Sequence, residues 1–167
     1  MEKDTGAIIS SLDAEELGRM LLQGRKALEA KVEAINALNV FPVPDGDTGT
    51  NMLLTMKALE AEIAKATDIP ASQLVPTMAR GALMGARGNS GVILAQFFQG
   101  LSNGLDGKDS FDCRALALGL AEATTAAYKA VGNPVEGTML TVIREISVAA
   151  QILANTNADV LELWESM

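Results

Sequence analysis

The chain has 167 residues and a formal net charge of −8 at pH 7, with 49% hydrophobic and only 4% aromatic residues. This length favours one domain with a substantial core, and the negative charge argues against binding to nucleic acid. The chain has no histidine, and its single cysteine, Cys113, excludes an internal disulfide. We expect a cytoplasmic protein without a transmembrane segment, because neither a signal-peptide pattern nor an apolar run of roughly 18 residues is present.

Helical patterns follow one another along the chain, and no stretch alternates apolar and polar residues as a half-buried strand would. Asp13 and Glu16 form a capping-box pattern that predicts an unbroken helix from Asp13 to about Leu38. Further helices are predicted from Met52 (capped by Thr50 or Asn51), from about Ser72, from Val92 to Gly100, from about Ser110 to Val131, from Thr138 to about Thr156, and after a capping Asp159. These patterns predict an all-α bundle with antiparallel neighbours.

The first of three glycine-broken loops spans residues 39–51 and carries two aspartates. Its prolines hold residues 40–44 extended, and a turn containing Asp45 and Asp47 follows. Two neighbouring carboxylates repel each other unless a cation lies beside them, and an all-oxygen ligand set favours Mg²⁺. An ordinary Pro-Asp-Gly turn with a capping aspartate is the alternative. An EF-hand is excluded, because Met56 stands where the bidentate glutamate is required.

The second loop, residues 85–91, offers the backbone N–H groups of a glycine-rich segment at the mouth of a helix, which suits phosphate. It lacks the ending of a Walker A loop and the spacing of a dinucleotide fingerprint. Its alternative use is a bend between close-packed helices. Arg87 can pair with phosphate or with Asp68 or Glu60.

The third loop, residues 132–137, precedes a helix that Thr138 is positioned to cap. Each of the three loops opens a helix. We therefore expect them to be able to converge at one end of the bundle, with a metal, a phosphate and an apolar slot for a base.

The first two loops together resemble the N-terminal, ATP-binding domain of bacterial fatty acid kinase, which is similar to the nucleotide-binding L subunit of dihydroxyacetone kinase. The resemblance rests on the segments at 39–52 and 81–94 and extends from about Asp13 to the end of the chain. It implies an antiparallel helical barrel of eight helices that holds ADP or ATP and two Mg²⁺ ions at one open end. It also implies that residues 1–167 are a single nucleotide-binding domain, C-terminally truncated so that at least the last helix of the barrel is missing, and part of a longer multidomain chain.

The resemblance assigns roles to individual residues. Asp45 and Asp47 stand at the positions of metal-binding aspartates, and Asn39 lies one residue from the position of a third metal ligand. Asp45, Asp47 and Thr48 are the implied catalytic residues. The implied nucleotide-binding residues are Thr48, Gly49, Thr50, Asn51, Gly88, Asn89, Ser90, Gly91, Thr138 and Met139.

The resemblance implies transfer of the γ-phosphoryl group of ATP to a fatty acid carboxylate, giving an acyl phosphate. The acceptor would be presented by a separate fatty-acid-binding protein, and a homodimer could form through the missing part of the chain. A carboxylate is already ionised at neutral pH and needs no general base, which agrees with a chain that has no histidine. The alternatives are a dihydroxyacetone kinase-type ADP-binding subunit and a non-catalytic module that binds a nucleotide or a partner.

We predict that ATP binding to this chain requires Mg²⁺, because the acidic protein repels the free nucleotide at long range. Calorimetric titration with ATP should give binding in the presence of Mg²⁺ and none in EDTA. Undiminished binding in EDTA would contradict a metal-dependent site.

Overall fold

The computed structural model describes residues 10–41, 43–66, 69–156 and 159–165, without the side chains of Leu161, Trp164 and Glu165. Within these ranges the chain forms eight α-helices: α1 (Ala14–Glu29), α2 (Val32–Ala37), α3 (Thr48–Ile63), α4 (Ala71–Gly85), α5 (Gly88–Gly104), α6 (Cys113–Lys129), α7 (Met139–Ala154) and α8 (Val160–Glu165). The described residues contain no strand beyond an isolated bridge between Leu12 and Phe111. The prediction of an all-α bundle is confirmed. None of these helices combines the length and hydropathy that a bilayer span requires.

Successive long helices pack antiparallel. Gly81 and Gly85 of α4 face α3 near Leu59 and Ala58 respectively, and Gly104 of α5 faces Gly119 of α6. Helices α6 and α7 also pack against each other, and the Thr124 hydroxyl of α6 lies 3.4 Å from the carbonyl oxygen of Ile143 in α7. Because the direction reverses at each step, α3, α5 and α7 all begin at the same end of the bundle.

A main hydrophobic core fills the space between α3, α4, α5 and α6. Its fully buried side chains include Leu59, Val75, Met78, Leu105 and Phe111. A smaller cluster of Ala127, Leu140 and Ile143 lies between α6 and α7, and Phe97 packs against both cores. Met56 and Met78 are core residues, and Met20 packs partly buried against the same core.

The prediction of one helix from Asp13 to Leu38 is wrong at its centre. The capping box of Asp13 and Glu16 is present, but α1 ends at Glu29 and α2 begins at Val32. The break lets α2 lie across the first turn of α3, where a Cβ on Gly49 would be 2.6 Å from the Val32 carbonyl oxygen. The end of α1 is fixed to α3 by an ion pair between Glu29 and Lys57 at 2.7 Å.

Two further boundaries differ from the prediction. Helix α3 begins at Thr48 rather than Met52, and α5 begins at Gly88 rather than Val92. Gly49 of the first loop and Gly88 and Gly91 of the second therefore lie within first helical turns. Helix α5 also continues through Gly100, where the sequence predicted a stop. At this position α6 lies so close that a Cβ would be 2.6 Å from the Ala123 Cα. Gly100 allows two helices to approach closely and does not end one.

The later boundaries agree more closely with the prediction. Helix α6 begins at Cys113, three residues after the predicted start, with Asp112 as its capping residue. Thr138 caps α7 as predicted, and the Asp159 carboxylate accepts the N–H of Glu162 at 2.8 Å.

We predict that Gly100→Ala lowers the free energy of unfolding by about 2 kcal/mol, because the new methyl group overlaps the α6 backbone. Gly24→Ala is the matched control: it lies in α1 with no atom within 4 Å of the new Cβ. It should raise the free energy of unfolding by up to about 1 kcal/mol through helix propensity. Urea denaturation measures both, and equal effects would contradict the close approach.

Candidate functional site

The side chain of Asn39, the first residue of the acidic loop, holds the loop closed by hydrogen bonds. The Asn39 Oδ1 accepts the backbone N–H of Asp47 at 3.2 Å and the Thr48 hydroxyl at 2.8 Å, and its Nδ2 donates to the Val43 carbonyl at 2.9 Å. Within this closed loop Asp45 is exposed and Asp47 is half-buried at the N-cap of α3. One amide therefore sets the conformation of the segment that carries both aspartates.

Asn36 extends this fastening one turn further into α3. Its Oδ1 accepts the backbone N–H of Thr50 at 3.1 Å, and its Nδ2 donates to the Thr50 hydroxyl at 3.0 Å. Gly49 lies between these contacts with its backbone against α2. The first turn of α3 is therefore held by α2 and does not depend on a capping side chain of its own.

The second loop is in direct contact with the first. The buried hydroxyl of Ser90 donates to the Thr48 carbonyl at 3.2 Å. Gly88 has a φ of 56°, and a side chain there would overlap the amide of the buried Asn51. A Cβ on Gly91 would be 2.6 Å from the Thr55 hydroxyl. The first turns of α3 and α5 thus lie side by side, and Asn89 is exposed at their edge.

The third loop reaches the same end through α7. The Thr138 hydroxyl accepts the N–H of Leu140 at 3.3 Å and donates to the Val135 carbonyl at 2.8 Å. Met139 is half-buried in the smaller cluster, whose other members include Ile93 of α5. Met139 therefore adds an apolar side chain next to the beginning of α5.

Hydrogen bonds to Glu136 organise the polar side of this third loop. Contacts from the Thr141 hydroxyl first, and then from Tyr128 and Arg144, lower the pKa of the Glu136 carboxyl. Desolvation and the neighbouring Glu136 raise the pKa of the Tyr128 hydroxyl. The carboxylate and the phenol therefore keep their acceptor and donor roles at neutral pH.

The chemistry of this end suits a hard cation beside an anion. The first turns of α3 and α5 present N–H groups without intrahelical partners, and the helix dipoles favour negative charge there. Among the described residues no cluster of three or more His, Cys, Asp or Glu is present. One or two carboxylates with phosphate oxygens and water are nevertheless a usual ligand set for Mg²⁺, so Asp45 and Asp47 fit that ion.

Two residues singled out from the sequence have other partners in the structure. Asn39 Oδ1 already accepts two hydrogen bonds, so the structure gives it a fastening role, and its role as a metal ligand stays a prediction. The exposed Arg87 donates to the carbonyl of Ala86, while Glu60 pairs with Arg25 at 2.8 Å. Asp68 lies outside the described residues.

The sequence analysis missed Asn36, Thr55 and the contacts of Glu136. Asn36 lies three residues before Asn39, so both can extend from the same side of the chain toward the loop; that spacing was the only available signal. Thr55 is fully buried under Gly91, and its hydroxyl donates to the Asn51 carbonyl at 2.9 Å. Nothing in the linear pattern indicated that pairing.

Comparison with known proteins places this chain in a family. The family model of the DAK2 domain matches residues 42–167. A Bacillus subtilis (strain 168) protein named YloV is 43% identical over 159 residues, and uncharacterized proteins of Staphylococcus aureus, in strains bovine RF122 / ET3-1 and USA300, are 41% identical over 158 residues. Each alignment covers 95% of this chain and 29% of the relative.

The matched range contains Asp45, Asp47, the second loop and the third loop, whereas Asn36 and Asn39 lie just before it. The chain spans less than a third of the length of these relatives. The chain belongs to the DAK2 domain family, which is of the dihydroxyacetone kinase type.

Proposed function

We propose that this chain is the nucleotide-binding part of a Mg-ATP-dependent kinase that phosphorylates a fatty acid carboxylate presented by a separate lipid-binding protein. The observation that carries the proposal is the hydrogen bond from Ser90 to the Thr48 carbonyl. It holds the N-terminus of α5, whose N–H groups suit a phosphate, against the segment that carries Asp47. A triphosphate lying across the two helix starts would have both aspartates at its edge.

The residues of this chain would bind and orient the nucleotide rather than exchange protons with it. The N–H groups at Gly88, Asn89 and Ser90 suit phosphate oxygens, and Asp45 and Asp47 would hold Mg²⁺ ions. When bound, Mg²⁺ neutralises the charge of the phosphates and fixes their geometry. Thr48 and Thr50 follow the two aspartates in the chain. Hydrogen bonds to Asn39 and Asn36 fix the side chains of Thr48 and Thr50, respectively.

The transfer itself is balanced without a general base. An oxygen of the acceptor carboxylate forms a bond to the γ-phosphorus, and the bond from that phosphorus to the bridging oxygen breaks. The products are an acyl phosphate and ADP. No proton moves, because the carboxylate is already ionised at neutral pH.

Exposed apolar side chains beside the acidic loop support an apolar acceptor. Leu38 and Val40 are 78% and 77% exposed, and Phe41 and Val43 are at least half exposed. Exposed apolar groups that cluster in this way are typical of interaction sites. A lipid-carrying protein whose acyl chain is apolar would cover them, whereas free dihydroxyacetone would not.

The second candidate is phosphoryl transfer to dihydroxyacetone, which the family match favours. An alcohol must lose a proton on transfer, and an aspartate or a water would have to accept it. Incubation of the full-length protein with Mg-ATP and either dihydroxyacetone or a fatty acid with its carrier protein separates the two candidates by which acceptor is phosphorylated. A non-catalytic binding module predicts that neither is.

We predict that Asp45→Asn and Asp47→Asn each weaken Mg-ATP binding at least about tenfold, because a magnesium ligand loses its charge. Asp106→Asn is the control, since Asp106 is exposed after the far end of α5 and carries the same charge. Calorimetry measures affinity, and circular dichroism checks the fold. Unchanged affinity in both loop variants would refute the magnesium site.

Asn39→Ala should loosen the segment that holds Asp47, because it removes three hydrogen bonds from the loop. Amide hydrogen exchange should be faster at Asp47 and unchanged in the middle of α5. Asn103→Ala, which alters an exposed asparagine in the last turn of α5, is the control. Equal protection at Asp47 in both variants would contradict the fastening role.

A further inference from the structure

A cluster of ion pairs joins the end of α1 to α3 and takes no direct part in the proposed transfer. The two carboxylate oxygens of Glu29 have different partners: Oε1 is 2.7 Å from the Lys57 ammonium of α3, and Oε2 is paired with Arg25 of α1. Arg25 also reaches α3, because its Nε lies 2.8 Å from Glu60 Oε2. Lys57 and Glu60 are one helical turn apart, so this ion cluster attaches α1 to α3 at two neighbouring points.

The centre of the ion cluster is shielded from solvent. The side chain of Arg25 is 14% exposed, and its Nε is buried, paired with Glu60 by charge but without hydrogen-bond geometry. A hydrogen bond from Lys57 foremost, together with the nearby Arg25, lowers the pKa of the Glu29 carboxyl, which is therefore ionised at neutral pH. A partly desolvated guanidinium is costly unless its carboxylate partners stay in place. The cluster thus fixes where the end of α1 lies on α3.

Apolar burial contributes little to the attachment of this part of the chain. The one buried side chain of α1 and α2 is Leu17, which lies near the start of α1. Leu28, in the last turn of α1, is only partly buried against the main core, and Leu38, just after α2, is exposed. The end of α1 and the whole of α2 therefore depend on polar contacts with α3 to a degree that the other long helices do not.

Helix α2 connects the ion cluster to the acidic loop. Two residues separate the end of α1 from the start of α2, so a displacement of one helix displaces the other. Asn36 of α2 accepts the N–H of Thr50, and Asn39, just beyond α2, accepts the N–H of Asp47. A shift of α2 along α3 would weaken both hydrogen bonds. Described contacts therefore run without a gap from the ion cluster to the residue proposed to bind magnesium.

We propose that Arg25, Glu29 and Lys57 are positioning residues for the magnesium-binding loop: they fix the end of α1 on α3, and α2 carries that position to Asp47. The inference rests on the proposed function and adds to it residues that act from outside the site. At the rise of an α-helix, Lys57 is about 14 Å along α3 from Thr48, which is too far for its side chain to reach a ligand at the first turn.

The first experiment measures the dissociation constant of Mg-ATP by calorimetry for the unmodified chain, Glu29→Gln and Lys57→Gln. Each substitution keeps the size of the side chain and removes one charge of the cluster. We expect both to raise the dissociation constant on the order of threefold, as for the loss of one partly exposed ion pair. A direct effect of charge on the anionic nucleotide would have opposite signs in the two variants, because one loses a negative and the other a positive charge. Opposite changes, or no change in either variant, would overturn the positioning role.

A second ion cluster provides the matched control. Glu62, near the other end of α3, pairs with Lys65 and with Arg80 of α4, and those contacts lower the pKa of its carboxyl in the same way. Glu62→Gln should leave the affinity for Mg-ATP unchanged, because this cluster has no connection to α2. Urea denaturation compares the stability of Glu62→Gln and Glu29→Gln. Equal weakening of Mg-ATP binding by the two variants would show a general loss of structure and refute the positioning role.

Amide hydrogen exchange separates failure of this inference from failure of the proposed function, because it needs no nucleotide. Glu29→Gln and Lys57→Gln should each speed exchange at Asp47 and Thr50, whose N–H groups are bonded to the two asparagines, and leave the middle of α5 unchanged. Unchanged exchange at Asp47 and Thr50 refutes the positioning role whatever the chain binds. Faster exchange in a chain whose unmodified form binds no Mg-ATP supports the control of the loop by the ion cluster and refutes the proposed function. Lys57→Gln decides the matter if Glu29→Gln does not fold.

Discussion

The close contact between the first turns of α3 and α5 is the constraint on which the rest of the site depends. Gly88 and Gly91 allow α5 to lie directly against Asn51 and Thr55, and Ser90 completes the contact with the Thr48 carbonyl. A side chain at either glycine would separate the helices and with them the acidic loop and the N–H groups of α5. The contact thus converts two separate loops into one surface.

The antiparallel order of the bundle brings the third loop to that surface. Helices α3, α5 and α7 begin at the same end, and close glycine contacts hold α3, α4, α5 and α6 against one another. The acidic loop, the first turn of α5 and the half-buried side chain of Met139 all lie at this end. This arrangement suits a molecule that is anionic at one end and apolar at the other, as a nucleotide is.

The hydrogen bonds that hold the loops in place also explain how a short acidic segment can bind a ligand specifically. Asn36 and Asn39 bind the backbone and hydroxyls of the acidic loop, and Glu136 binds the third loop in the same manner. None of the three needs to touch a ligand. They reduce the conformational freedom that a bound nucleotide would otherwise have to restrict, so more of the binding free energy remains available for affinity.

The sequence by itself determined the helical class, the caps at Asp13 and Thr138 and the residue types of the three loops, because capping patterns, prolines and glycine runs act over a few neighbouring residues. Only the tertiary structure decided where α1 ends, why α5 passes through Gly100 and which partners Asn36, Asn39 and Glu136 have. Those features depend on contacts between residues distant in the chain or on the precise path of a loop. A linear pattern records which residues are present, whereas close approach of two helices depends on atoms that only the folded chain brings together.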